Sequence, residues 1–246
     1  MTTDAATLFQ AIDATWPAAR QFALGPWVLR DGQGGGKRVS AATASQPVDA
    51  EAVALGEVGM RALDQSPLFM IRDADEALDR MLEQRGYKIV DPVAVLTCPI
   101  ARLTDRPVPP VTTFVVWEPL AIMAEIWAQG GIGPERLDVM RRAKTKTASL
   151  ARNNQKPAGT AFVAVHGGIA MVHAVEVLTA HRRQGIAGWI MRQAAFWAEA
   201  QGATEMAVLS TKANTGALRL YSGLGFETAA QYHYRHNPDG GDLHNG

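Results

Sequence analysis

The spacing of hydrophobic and polar positions changes several times along this chain, and each change marks an element. "TLFQAIDATWPAA" has helical spacing and is predicted to stop near Pro17, because a residue without an N–H cannot extend a helix. "PWVLRDGQGGGKRVSAATA" alternates along two arms around a glycine-rich turn, the pattern of a hairpin. "DAEAVALGEVGMRALD" returns to helical spacing with Asp49 as its N-cap. "PLFMIRD" predicts a strand, "DEALDRMLEQRGY" a helix stopped at Gly86, and "KIVDPVAVLTC" a further strand.

Pro107, Pro109 and Pro110 crowd the segment "TDRPVPPVTT" and disfavour both helix and central strand, so a domain boundary is expected there. Beyond it, "TTFVVW" predicts a strand, "EPLAIMAEIWAQG" and "GPERLDVMRRAK" two helices, and "TASLARNN" an extended segment. "GTAFVAVHGGIAMVHAVEVL" predicts a hairpin turning at Gly167 and Gly168. A long helix, "GIAGWIMRQAAFWAEAQG", carries Ile186, Trp189, Ile190, Trp197 and Ala198 along one face. The strand "TEMAVLST", the helix "NTGALRLYSGLG" and a terminal strand pair through "FETAAQYHYR" complete the pattern. The expected domains are 1–105 and 106–238, with 239–246 a disordered tail. "EALDRMLEQRGYKIV" and "GALRLYSGLGFETAA" share a helix, a Gly-aromatic stop and a strand, which suggests a degenerate internal copy in the first domain.

Composition narrows the classes. With 246 residues, 47% hydrophobic, the chain has enough apolar content for a packed core. Lys+Arg and Asp+Glu are both 24, and this neutral balance argues against a general nucleic-acid binder. Cys98 is the single cysteine, so no intrachain disulfide is possible; it follows "VAVLT" and reads as a small core residue. The first residues lack a basic region followed by an apolar one, and no apolar run reaches membrane-spanning length, so the expected setting is cytoplasmic with no membrane partner.

The stretch that points to chemistry is "AHRRQGIAG", residues 180–188, between the apolar strand and the long helix. The first N–H groups of a helix have no intrahelical acceptor, and the helix dipole adds positive potential there. Glycine allows a phosphate to approach those groups, so the stretch reads as a diphosphate cradle flanked by Arg182 and Arg183, or as a plain turn with solvated arginines.

In this context the sequence resembles the GNAT superfamily of acetyl-CoA-dependent N-acetyltransferases, over about residues 110–236. The family's loop, Arg/Gln-x-x-Gly-x-Gly/Ala, is matched by Arg182, Gly185 and Ala187. Its later Asn, Ala, Tyr and Gly-Phe positions are matched by Asn214, Ala217, Tyr221, Gly225 and Phe226. The resemblance implies an α/β (α+β) fold with a mixed, mostly antiparallel sheet flanked by helices, preceded by the smaller α/β domain. It implies that Val175, Glu176 and Val177 face the acetyl and pantetheine arm. It also implies that Arg182, Arg183, Gln184, Gly185, Ile186, Ala187 and Gly188 bind the diphosphate of acetyl-CoA. Asn214 would hydrogen-bond the pantetheine, and Tyr221, a neutral phenol at pH 7, would protonate the departing thiolate. No metal is implied.

The general base is left between two residues. Strand alternation places His173 on one face with Met171, Val175 and Val177, and Glu176 on the other. The serotonin-type arylalkylamine N-acetyltransferases, in the same superfamily, carry a His nine residues before the loop arginine, as His173 stands before Arg182; their second His falls on Met171.

Three other features are set aside. "GQGGGKR" fits neither the P-loop nor the dinucleotide pattern and reads as a hairpin turn. "RRAKTKTASLARNNQK" reads as a solvated helix end and edge strand, with an anion site as the alternative. "YHYRH" reads as a terminal strand rather than a metal site. Trp27, Arg30 and Arg38 on the first hairpin are candidates for shaping an acceptor pocket. The expected activity is acetyl transfer to a small-molecule or peptide amine by a monomer or homodimer. The rivals are a non-catalytic acyl-CoA-binding module and an N-acyltransferase with another acyl-CoA.

Overall fold

The computed structural model describes residues 3–238, so the expected tail lies outside the described residues. Helix α1 (Ala5–Thr15) is capped by Asp4, whose carboxylate accepts from Thr7 N, and it ends before Pro17. Strands β1 (Arg20–Leu24) and β2 (Trp27–Asp31) form an antiparallel hairpin turning at Gly25, φ 57. Strand β3 (Thr43–Ala44) pairs with the other edge of β2. The predicted hairpin is therefore the β2–β3 pair. The strand β1 escaped the pattern because "RQFAL" is exposed along most of its length and shows no buried alternation.

Helix α2 (Ala50–Arg61) begins at Asp49, which accepts from Ala52 N at 2.8 Å, as expected. Strand β4 (Leu68–Arg72), helix α3 (Glu76–Gln84) and strand β5 (Lys88–Pro99) follow. Then come β6 (Thr113–Val116), α4 (Ala121–Gln129), α5 (Pro134–Arg142), β7 (Thr145–Asn153), β8 (Lys156–His166) and β9 (Ile169–Val177). The last elements are α6 (Ile186–Ala200), β10 (Glu205–Thr211), α7 (Thr215–Gly223) and β11 (Glu227–His236). The terminal strand pair is thus one strand. The β8–β9 hairpin turns on Gly167, φ 56, and Gly168, φ 79, both in the left-handed region that a tight hairpin turn requires.

The chain divides into two units, and not at one boundary. Among the described residues, the first takes 3–17, 95–210 and 214–229; the second takes 18–94, 211–213 and 230–238. The expected cut at 105 falls within the first unit. The prolines interrupt regular structure, but α1 groups with the later strands, and β5 and β11 give residues to both units.

In the first unit the strand order runs β10-β9-β8-β7-β6. β10 and β9 are parallel, from Glu205 opposite Ile169 to Val208 opposite Val172, and the other neighbours are antiparallel. α1 and α4 pack on one face of β8 and β9; α6 packs on the other, with Ile190 against Gly159. The buried stripe of α6 is Ile186, Ile190, Met191, Ala194, Ala195 and Ala198, while Trp189 and Trp197 stay half-buried. β7 is paired on both sides, so the basic segment does not hold an edge strand.

In the second unit β1, β2 and β3 form one sheet, and β11 lies beside β4, Tyr232 opposite Arg72. Trp27 is fully buried and donates to Ala52 O at 2.7 Å; the buried Arg30 donates to Ala41 O and Thr43 Oγ1. These two candidates are core residues. Arg38 follows in a short turn of 3-10 helix, so the glycine-rich run is a structured connection.

The Gly-aromatic stop shared by α3 and α7 has a local cause. Gly86, φ 84, and Gly225, φ 86, each end a helix in the left-handed region. The next residue returns a hydrogen bond to the last turn: Tyr87 N to Leu82 O, and Phe226 N to Tyr221 O. α4 and α6 close the same way, through Gly131 with Ile132 and through Gly202 with Ala203. α2 closes likewise, with Asp64, φ 55, in place of the glycine and Gln65 N bonded to Met60 O, so the likeness of the two segments is a helix ending used at five places among the described residues and by itself does not argue for an internal copy.

Candidate functional site

β9 carries a bulge that decides which residues face where. Phe162 pairs with His173 and Thr160 with Glu176, so Ala174 and Val175 together stand opposite Ala161. Ala174 takes φ 52, the left-handed region, as the first residue of a G1-type bulge does. Its carbonyl accepts from the indole N–H of Trp127 on α4, at 2.8 Å.

The bulge overturns the predicted alternation. Paired residues share a face, and Phe162 and Thr160 share one, so His173 and Glu176 lie on the same face, the one covered by α1 and α4. Val177, opposite Gly159, turns to the α6 face. The inserted residue resets the period, and "HAVEV" carries no Gly or Pro to announce it.

His173 is buried, with its ring 5.1 Å from that of Trp16 and stacked at 6.1 Å on Phe162. Its Nε2 lies 3.0 Å from Thr15 Oγ1. The Thr15 hydroxyl also donates to Ala11 O at 2.7 Å, which ties the ring of His173 to α1. Glu176 is half-buried. Burial pushes its carboxyl above the ordinary glutamate range, against a smaller downward pull from Arg182.

Beyond Val172 and Val208 the parallel ladder ends, although β9 continues to Val177 and β10 beyond Val208. The two strands separate there, next to the bulge. A turn of 3-10 helix, Thr179–His181, then leads to the loop. Arg183, φ 60, and Gly185, φ 81, both take left-handed backbone, which bends the chain into α6. The first backbone hydrogen bond of the helix is Trp189 N to Gly185 O. Among the described residues the N–H groups from Arg183 to Gly188 meet no protein acceptor. A Cβ built on Gly185 or Gly188 would touch nothing within 4 Å, so the space above these amides is open.

Side chains brace this loop. Arg182 Nε donates to Val177 O at 3.0 Å. Gln184 donates to Ala180 O and accepts from Asn153 Nδ2 at 2.6 Å. A row of open amides at the N-terminus of a 15-residue helix, with two exposed arginines beside it, has the chemistry to hold a diphosphate.

Tyr221 sits on α7, buried, with its ring 5.6 Å from that of Phe226. Burial pushes its phenol up to about 12. Its hydroxyl has no hydrogen-bond partner among the described residues. Asn214 caps α7, its Oδ1 accepting from Ala217 N at 3.0 Å, so this side chain also carries a structural role that the sequence reading missed.

This geometry accords with the comparisons. Residues 117–226 match the acetyltransferase (GNAT) family. This stretch is a GNAT-family acetyltransferase domain. It is 26% identical over 234 residues to the uncharacterized N-acetyltransferase YobR of Bacillus subtilis (strain 168), spanning 90% of this chain and 94% of that protein. A GCN5-related N-acetyltransferase from Kribbella flavida superposes with a TM-score of 0.71 at 25% identity, covering 95% of each chain. A functionally unknown conserved protein from Staphylococcus epidermidis ATCC 12228 shares the fold at 12% identity, TM-score 0.68, over 92% of this chain and 96% of that one. The GNAT domain makes this protein an acyltransferase, and the family uses acetyl-CoA as its cosubstrate. Among the described residues no helix is long and apolar enough to cross a membrane. His233, in the "YHYRH" stretch, lies on β11 and bonds Asp79.

Proposed function

We propose that this protein acetylates a primary amine of a small molecule or peptide by direct attack on acetyl-CoA, with Glu176 as the base and Tyr221 as the acid. The observation that carries this reading is the bulge at Ala174, which puts the half-buried Glu176 on the α4 face beside the end of the β9–β10 ladder. The diphosphate is held by the amides of residues 183–188, with Arg182 and Arg183 at the rim. Val175 to Val177 border the acetyl and pantetheine arm. The backbone N–H groups around Val175 stabilise negative charge developing on the carbonyl oxygen.

Glu176, directly or through one water, takes the proton that the amine nitrogen sheds as its bond to the acetyl carbon forms. The carbon–sulfur bond then breaks, and Tyr221 passes its proton to the departing sulfur. Burial keeps the Tyr221 phenol protonated at neutral pH, as an acid requires. His173 supports the site from the core. Its engagement by Thr15 and two aromatic rings favours a packing role over the base expected from the arylalkylamine likeness.

The test is release of free thiol from acetyl-CoA in the presence of tyramine, spermidine, glucosamine, kanamycin and a lysine-containing peptide. Amine-dependent release that falls with Glu176→Gln is expected. Binding of acetyl-CoA with no release across the panel favours a coenzyme-binding module and contradicts the proposal.

A further inference from the structure

α4 and its C-cap bring two residues to the neighbourhood of the bulge, Trp127 within the helix and Gly130 just past its last residue. Trp127 is fully buried, and its indole N–H donates to Ala174 O, the carbonyl of the left-handed bulge residue. A bulge withdraws a residue from the ladder and leaves its backbone groups to find other partners. Here the carbonyl is met from α4, and the donor is one that phenylalanine lacks.

Gly130 acts on the same residues from the next turn. Its own φ is −86, a conformation open to any residue, so nothing in its backbone calls for glycine. A Cβ at this position would lie 2.4 Å from Glu176 Cδ and 2.7 Å from Oε1. Glycine leaves free the space that the Glu176 carboxylate occupies, and a methyl group here would push that flexible side-chain end aside. Gly159 does the like from β8, where a Cβ would lie 2.6 Å from the Glu176 carbonyl oxygen.

We propose that Trp127 and Gly130 are positioning residues for Glu176: the Trp127 indole N–H holds the bulge that turns Glu176 toward α4, and Gly130 leaves the room its carboxylate fills. That Glu176 then acts as the base rests on the reading above. Without the indole donor the Ala174 carbonyl favours a regular strand, and recovery of strict alternation would carry Glu176 to the opposite face.

The test separates placement from catalysis. The Glu176 side-chain carboxyl is titrated by carbon-13 NMR in the unmodified protein, in Trp127→Phe and in Gly130→Ala, with thermal unfolding measured alongside. Arg182 is the charged neighbour acting on this carboxyl, and it is unchanged in all three. The expected result is a midpoint above the ordinary glutamate range in the unmodified protein and a shift of that midpoint in both folded variants. Trp127→Phe should move it because the carboxyl leaves its present surroundings beside α4. Unchanged midpoints in both variants overturn the proposal. If Trp127→Phe fails to fold, Gly130→Ala decides alone: a shifted midpoint supports the proposal and an unshifted one overturns it. Loss of thiol release in Glu176→Gln tests the base assignment separately, so either claim can fail without the other.

Discussion

His173 and Glu176, three residues apart on β9, face the same side of the sheet because Ala174 and Val175 share one place in the ladder. The pair then divides the work by environment: His173 is locked among Trp16, Phe162 and Thr15, while Glu176 stays half-buried near the end of the parallel ladder. Removing each should have a different signature. Glu176→Gln is expected to lower kcat by about 100-fold or more, as loss of a general base does. His173→Ala is expected to lower stability by about 2–4 kcal/mol through the vacated core volume, while the pH dependence of the remaining activity is unchanged. Steady-state kinetics and thermal unfolding on the same preparations check both.

Glu176 also predicts a pH effect on stability. Its folded-state carboxyl titrates above the unfolded one, so the folded state binds the proton more tightly. Stability is therefore lost as pH rises through the raised value and is kept below the unfolded one, near 4.3. Glu176→Gln should raise the unfolding temperature at pH 7, and the gain should vanish below about pH 4. A gain that persists unchanged at low pH would contradict the desolvation of this carboxyl.

Tyr221→Phe removes a hydroxyl that bonds no described protein group. The folded protein should lose no measurable stability, whereas kcat should fall by about 10- to 100-fold. The KM for acetyl-CoA should stay within a few-fold of its original value. A fall in affinity with kcat intact would assign Tyr221 to binding alone.

Asp79 in the second unit accepts from Arg235 Nε at 2.6 Å and pairs with His233 Nε2 at 2.8 Å. Arg235 is buried, and its guanidinium holds the Asp79 carboxyl below the usual range. Asp79→Ala should cost about 2–3 kcal/mol at pH 7, since it strips a buried cation of its main partner. That stability is present above the unfolded aspartate value, near 3.9, and is lost as pH falls through the depressed folded value. Denaturant unfolding at pH 7 and pH 3 should show the difference between the two proteins shrinking in acid.

Much of this fold is legible along the chain because its signals are local. Asp49 caps α2, the glycines at 167 and 168 turn the β8–β9 hairpin, and Gly86 and Gly225 end α3 and α7 where the sequence places them. The loop at 182–188 is equally local, since open amides follow from a helix that starts just after glycine. What was hidden depends on distant partners. The bulge at Ala174 is stabilised by Trp127, far away in sequence, and alternation alone cannot register it. The grouping of α1 with β8 and β9 rests on Thr15 and Trp16 meeting His173 and Phe162. Asn214 and Gly225 stand in a family motif, yet both also close the ends of α7, so a structural and a functional demand coincide on the same letters.

The loop itself offers a substitution that sets stability against binding. Gly188 lies in the first turn of α6 with open space where a Cβ would stand. Gly188→Ala should leave the free protein as stable or up to about 1 kcal/mol more stable, because alanine is the better helix former. It should nevertheless weaken acetyl-CoA binding, since the methyl group intrudes where the diphosphate would approach. Thermal unfolding without and with acetyl-CoA measures both effects.

The most direct test of the central claim is calorimetric titration of the folded protein with coenzyme A and, separately, with pantetheine, which lacks the diphosphate. The amides at 183–188 predict saturable one-to-one binding of coenzyme A, at least about 10-fold tighter than that of pantetheine. Equal affinity for the two, or no heat with coenzyme A, would contradict it.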